Sequence, residues 1–261
     1  MDNQVISLDT DVAVLVISCD AYRDLWHPFF RCFFKYWPDC PYPVFLGTNH
    51  LVYPDDRVQS LKVGEDRDYS SNLLHMLGRI EQEWVILWLE DRFLSAPVDT
   101  ARILGLIRTA QRNRAGYLKL IANYPLALVG DPSLQIGEIP KGVRYRVSIT
   151  VALWEKKVLL KILRPGETAW DIERMGSIRS NGLDEKFYCL SSIMKNDPPI
   201  TDVHGIVKGK WVREAYEFLR KEGLQECIQN RPVQTIWSYL YVKAYIFRLD
   251  VYNKLCIYWR S

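Results

Sequence analysis

Two apolar runs that end abruptly in acids constrain this chain more than anything else in it. Val12 to Ser18, VAVLVIS, stops at Cys19-Asp20, and Trp84 to Leu89, WVILWL, runs straight into Glu90-Asp91. An apolar run without polar alternation is the mark of a strand buried on both faces. Such strands belong mainly to parallel sheets covered by helices, so the two runs predict an α/β fold with these strands as neighbours. Ligands of open α/β sheets sit beyond the carboxyl ends of the strands. Asp20, Glu90 and Asp91 are therefore predicted to border a cleft.

The segments between them fit that architecture. His27 to Trp37 is predicted helical, with Pro28 in its first turn and Pro38 closing it. Pro43 to Thr48 and Arg57 to Val63 read as strands, and Ser70 to Glu83 as a helix with Leu73, Leu74, Leu77 and Ile80 at helical spacing. A helix over Thr100 to Arg112 is capped by Asp99 or Thr100. Tyr117 to Ile121 and Val143 to Thr150 read as strands, Trp154 to Leu163 as a helix, and Trp170 to Glu173 as the start of another. The fold class is a single, mostly parallel sheet flanked by helices, with a C-terminal helical extension. The expected division is a main domain over residues 1–210 and an extension over 211–261.

Composition excludes several classes. A net charge of +3 gives no reason to expect nucleic acid as a partner. The six cysteines form no CxxC pair and the four histidines no HExxH or finger spacing, so no structural zinc site is expected. No GxGxxG or GxxxxGK[ST] occurs, which weighs against a Rossmann dehydrogenase or a P-loop enzyme. No uncharged apolar stretch reaches 18 residues, and the acidic N-terminus lacks a secretory pattern. These features predict a reduced, cytoplasmic protein.

Three acidic places can carry chemistry. A carboxylate at Asp91 can hold a divalent cation that bridges phosphates; the plainer alternative makes Glu90 and Asp91 solvated turn residues, one paired with Arg92. Asp20 can accept hydrogen bonds from a ribose or base, or it can cap the turn into the next helix. In LRPGETAWDIERMGS, Trp170 and Glu173 share a helix face at i, i+3. A carboxylate against an indole loses solvation, which raises its pKa and suits it to take a proton. Asp171 points about 100 degrees away on the same helix and is the second candidate. The alternative is a surface helix in which Glu173 pairs with Arg174 or Arg179. No histidine lies in a comparable motif; His204 falls in a loop.

SCDAY after the first strand, ED after a hydrophobic strand, and SITVALWEKKVLLKILRPGETAWDIERMGS together resemble a small bacterial GT-A-fold glycosyltransferase of the polysaccharide-biosynthesis type. The resemblance covers roughly residues 11–185. The sequence LEDRF departs from a full DxD, because Arg92-Phe93 stands where a third-position Asp belongs; either one metal ligand is missing or Glu90 substitutes for it. The resemblance implies a nucleotide-sugar donor near Asp20, Glu90 and Asp91, and a divalent cation (manganese or magnesium) on Asp91. It also implies Glu173 or Asp171 as the base of an inverting transfer to a glycan or lipid-linked acceptor. A nucleotidyl-transferring α/β protein and a membrane-surface interaction protein are the competing classes.

The C-terminal segment carries Val233, Ile236, Trp237, Leu240, Ala244, Phe247, Val251, Leu255 and Tyr258 at helical spacing. Residues 233–261 hold four basic residues (Lys243, Arg248, Lys254, Arg260) against one acid, Asp250. This predicts a helix lying at an anionic bilayer edge, at the inner face of the membrane, or packed on the main domain.

Overall fold

The computed structural model describes residues 11–121, 135–190 and 197–258. Its centre is the predicted strand pair. β1 (Val12–Ile17) and β4 (Trp84–Leu89) lie side by side and parallel, in register from Val12 opposite Trp84 to Ile17 opposite Leu89. Because strand side chains alternate between faces, Val12, Val14, Val16, Ile86 and Trp88 enter one core layer. Ala13, Leu15, Ile17, Val85 and Leu87 enter the other. Two buried faces are what the unbroken apolar runs demand.

β2 (Val44–Thr48) and β3 (Val58–Lys62) extend the sheet in parallel on one side. On the other side lie β8 (Ala152–Glu155), β6 (Ala115–Lys119), β9 (Lys186–Leu190) and β7 (Ile136–Glu138), giving the order β3-β2-β1-β4-β8-β6-β9-β7. β8 is antiparallel to both its neighbours, and β7 is antiparallel to β9.

One face is covered by α1 (Trp26–Tyr36) and α3 (Thr100–Arg112). Phe29, Phe33 and Trp37 of the α1 region pack around Trp88, with the Phe33 and Trp88 rings 5.6 Å apart. The other face is covered by α2 (Tyr69–Leu77), α4 (Lys156–Ile162) and α5 (Ala169–Ser180). The five described cysteines carry free thiols. Among the described residues no helix is long and apolar enough to cross a membrane.

Two sequence expectations need correction here. Val143 to Thr150 is not a strand: Val147 N donates to Ser177 Oγ and Ile149 N to Glu173 Oε1, so α5 side chains satisfy backbone groups that a sheet would have paired. Arg146 sits buried beside it, donating to Ile139 O at 3.0 Å and Ser180 O at 2.8 Å. The helix expected from Trp154 begins at Lys156 instead, because the preceding ALWE is strand β8, inserted between β4 and β6. A short apolar run looks the same to periodicity in a buried strand or a buried helix.

Past residue 200 the chain returns to the sheet. β10 (Asp202–His204) pairs antiparallel with β5 (Arg92–Leu94). β11 (Ile206–Val207) and β12 (Lys210–Trp211) form a tight hairpin, with positive φ at Lys208 (50°) and Gly209 (75°). This is the twist a two-residue hairpin turn requires. Trp211 and the α6 (Arg213–Lys221) residues Ala215 and Leu219 join the core beside α1 and α3. The boundary expected at residue 210 therefore falls inside a strand. α7 (Ile236–Tyr258) follows, and its contacts run to the 144–145 segment: Asn253 Nδ2 donates to Arg144 O at 3.3 Å, and the Tyr145 and Tyr245 hydroxyls lie 3.0 Å apart.

Candidate functional site

Asp20 lies just past β1, and its carboxylate accepts from three backbone amides beyond β2: Asn49 N at 2.9 Å, His50 N at 3.0 Å and Leu51 N at 3.2 Å. Asn49 Oδ1 returns the bond by accepting from Asp20 N at 2.9 Å. Asp20 thus locks two strand ends together. It also lines a cleft of about 560 Å³ with Arg23, Asp24, Asn230 and Arg231. Arg231 is held there by a forked pair with Asp24, at 2.7 and 2.8 Å.

Glu90 and Asp91 follow β4 at the same end of the sheet. Burial first, and the neighbouring Asp91 charge second, push Glu90 up to about 8. Asp91 is fixed by its surroundings: Gly205 N donates to its backbone carbonyl at 2.6 Å, and Ile206 N to Oδ2 at 3.1 Å. His204 Nε2 lies 3.2 Å from the same oxygen. The other oxygen, Oδ1, is buried and has no hydrogen-bond partner among the described residues.

His204 reaches Asp91 because the β5–β10 ladder sets His204 opposite Arg92. Arg92 turns away from the cleft and pairs with Asp202 at 2.5 Å, an ion contact without hydrogen-bond geometry. It pairs with neither Glu90 nor Asp91. The sequence left His204 in a loop; only the pairing of segments about 110 residues apart brings it to Asp91.

Glu173 lies on α5. Its Oε1 accepts from Ser148 Oγ at 2.9 Å and Ile149 N at 3.2 Å, and among the described residues Oε2 has no partner. The indole expected against it is absent, since Trp170 is 70% exposed. Glu173 is positioned by hydrogen bonds, and desolvation by tryptophan plays no part. Asp171 is committed elsewhere: with Thr168 it forms a capping box at the start of α5, with Thr168 Oγ1 donating to its Oδ2 at 2.7 Å. Arg179, one of the expected partners of Glu173, forks onto Glu167 at 2.8 and 2.6 Å.

Tyr69 and Lys119 were not foreseen. The Tyr69 hydroxyl is buried and has no partner among the described residues, and burial, then the charges of Glu90, Glu173 and Asp91, hold it well above the usual tyrosine range. Lys119, at the end of β6 and 6% exposed, is pushed down to about 8 by burial, with the charge of Glu173 acting against that shift. A lysine inside the apolar segment GYLKLI was the available signal for it.

Asp91 is the donor that a divalent cation would meet at this corner. A buried carboxylate oxygen without a partner is costly, and Asp91 Oδ1 is such an atom. Among the described residues no three His, Cys, Asp or Glu side chains gather as a metal site. Fewer than three of Asp91, His204 and Glu90 come close enough to ligate together, so phosphate oxygens and water would have to complete the shell.

No protein-family model and no curated protein sequence matches the chain. Solved structures do. S. aureus TarS 1-349 in complex with UDP superposes with a TM-score of 0.52 at 12% identity, covering 92% of this chain and 70% of that one. The fold is GT-A-like. The same TarS fragment with UDP-GlcNAc gives a TM-score of 0.44 at 12% identity, covering 92% and 70% of the two chains. The 2-C-methyl-D-erythritol 4-phosphate cytidylyltransferase of Thermus thermophilus gives 0.46 at 12% identity, covering 83% of this chain and all of that one. Of the three, the first is similar enough in shape to compare folds. Because β1 and β4 are parallel, Asp20 and Glu90-Asp91 lie at the same end of the sheet, and Asp20 lines the cleft there.

Proposed function

We propose that this chain is a glycosyltransferase that moves a sugar, with inversion, from a nucleotide-sugar donor to a hydroxyl of a glycan or lipid-linked acceptor on the cytoplasmic side of a membrane. The observations that support the reading are Asp91 Oδ1, buried beyond β4 without a partner among the described residues, and Glu173, held by Ser148 and Ile149 through one oxygen alone. Two separate carboxylate stations, at Asp91 and at Glu173, suit a reaction that must neutralise a leaving diphosphate and take a proton from an acceptor.

In this reading the nucleoside end of the donor enters the cleft beside Asp20, where Arg23 and Arg231 attract its anionic diphosphate. Asp91, with His204 or Glu90 beside it, would hold a manganese or magnesium ion. That ion would neutralise charge on the departing diphosphate. Glu173 Oε2 accepts the acceptor's hydroxyl proton as that oxygen bonds to the anomeric carbon. The bond from that carbon to the diphosphate oxygen breaks, and its electron pair leaves with the nucleoside diphosphate. Tyr69 donates its hydroxyl to a donor oxygen. Ser148 and Ile149 keep Glu173 aimed while it works.

The test is thermal stability against a panel of nucleoside diphosphates, with and without manganese. Saturation at a hundred times Kd is expected to add about 2.7 kcal/mol for one base, with a larger gain when manganese is present. No gain with any nucleotide would sink the reading. Release of pyrophosphate from a nucleoside triphosphate would make the protein a nucleotidyltransferase instead.

A further inference from the structure

A second cavity, of about 380 Å³, opens between α1, the loop before β3 and the turn after α6. It shares no lining residue with the cleft at Asp20. Its size is that of a small-molecule site. The run FFRCFF of α1 divides its rings between two directions. Phe29 and Phe33 go to Trp88 in the core, whereas Phe30 and Phe34, one helical turn apart, line the cavity. Phe30 is buried at the bottom. The half-buried rings of Phe34 and Tyr53 flank it, with centres 5.9 and 4.7 Å from its own.

The rim is chemically one-sided. Two acids line it, and each of their carboxylate oxygens already accepts a hydrogen bond. Asp55 takes Arg57 Nε at 2.9 Å on one oxygen and Arg57 Nη2 at 2.7 Å on the other. Glu222 takes Lys35 Nζ at 2.6 Å and the Tyr36 hydroxyl at 2.8 Å. The cations keep donors in reserve. Arg57, whose guanidinium sits 3.8 Å over the Phe34 ring, leaves Nη1 outside its fork with Asp55. Lys35 gives Glu222 one of its ammonium protons. Arg31 is exposed and pairs with no acid among the described residues.

Rings below and spare N–H groups above, with no free carboxylate oxygen between them, select a flat apolar ring that carries an anion. A neutral ring leaves the cations unanswered, and a bare anion leaves the rings unused. Charge-assisted hydrogen bonds are the stronger kind, so the anion supplies affinity as well as orientation. We propose that this cavity binds a small aromatic anion, its ring against Phe34 and Tyr53 and its carboxylate or phosphate on Arg31 and Lys35. The site needs no donor chemistry and stands or falls independently of the proposed transfer.

The experiment is a ligand-observed NMR titration of the full chain with benzoate, phenyl phosphate, inorganic phosphate and benzyl alcohol, for the parent and an Arg31→Glu variant. Benzoate or phenyl phosphate is expected to bind the parent saturably, with a Kd on the order of 1 mM for so small a probe. The tighter of the two tells whether the anion is a carboxylate or a phosphate. Inorganic phosphate and benzyl alcohol should bind about tenfold more weakly or less. Arg31→Glu should weaken both aromatic anions about tenfold, with Tm unchanged because the side chain is exposed. No saturable binding of either aromatic anion, or equal affinity in the variant, overturns the proposal. Inorganic phosphate binding as well as phenyl phosphate would reduce the site to an anion patch, and benzyl alcohol binding as well as benzoate would remove the selection by charge; either result overturns it. Displacement of the probe by a nucleoside diphosphate would place the binding in the cleft at Asp20 and overturn it as well.

Discussion

Glu173 and Asp171 stand two positions apart on one helix and are held in opposite ways. Asp171 is spent on the capping box of α5, whereas Glu173 keeps one oxygen without a partner among the described residues. Glu173→Gln is expected to leave donor binding intact and lower transfer by about two to four orders of magnitude. Asp171→Asn should keep transfer and lower stability by about 0.5–2 kcal/mol, the usual worth of a cap. Measuring turnover and denaturant midpoints for both variants separates the two; transfer lost in Asp171→Asn alone would reverse the assignment. Lys119 supplies a pH dependence. Burial lowers it to about 8, against an unfolded value of about 10.4. Between those values the unfolded chain holds more protons, so this group makes stability rise with pH there; below about pH 8 its buried charge is a constant cost. The Tm of Lys119→Met relative to the parent should therefore fall as pH goes from about 8 to about 10. A constant difference would show that Lys119 keeps an ordinary ammonium in the fold.

At the scale of elements, the β5–β10 pair decides whether the corner works. It aligns His204 with Asp91, and Gly205 lets the backbones meet. A Cβ at Gly205 would lie 2.5 Å from Phe93 Cε2 and 2.9 Å from Asp91 O, so the ladder would have to move. Gly205→Ala is expected to cost about 1–3 kcal/mol and to remove the manganese-dependent part of nucleotide stabilisation. Manganese titration of that variant in the thermal assay is the check; an undiminished manganese effect would show that His204 takes no part. β8 matters in the same way. By lying antiparallel between β4 and β6 it separates Asp91 from Lys119 by one strand, and its arrival through the 143–150 segment delivers Ser148 to Glu173.

For the whole molecule, the core closes near residue 234, since Gln234 N donates to Trp211 O at 2.8 Å and Trp211, Leu219 and Ile228 are buried against the sheet. Ending the chain after residue 235 should leave one cooperative unfolding transition and remove α7. Ending it after residue 210 would cut strand β12 and strip those side chains from the core, and such a chain is expected to be insoluble or to melt without a sharp transition. Calorimetry of the two truncations tests this directly. A sharp transition in the shorter chain would mean that residues 211–234 are an appendage after all.

Local pattern alone determined a good deal. The bounds of β4 and α3 came directly from WVILWL and from the amphipathic run behind Asp99, and the parallel neighbouring of β1 and β4 came from their unbroken apolar character. These features are written within a few residues, where periodicity and capping act. The placing of acids beyond strand ends was legible for the same reason. What the fold alone decided depends on partners far along the chain. His204 meets Asp91 only through a ladder, Ala152–Glu155 becomes a strand only because β4 and β6 flank it, and the Glu173 carboxylate answers to Ser148 while Trp170 faces solvent.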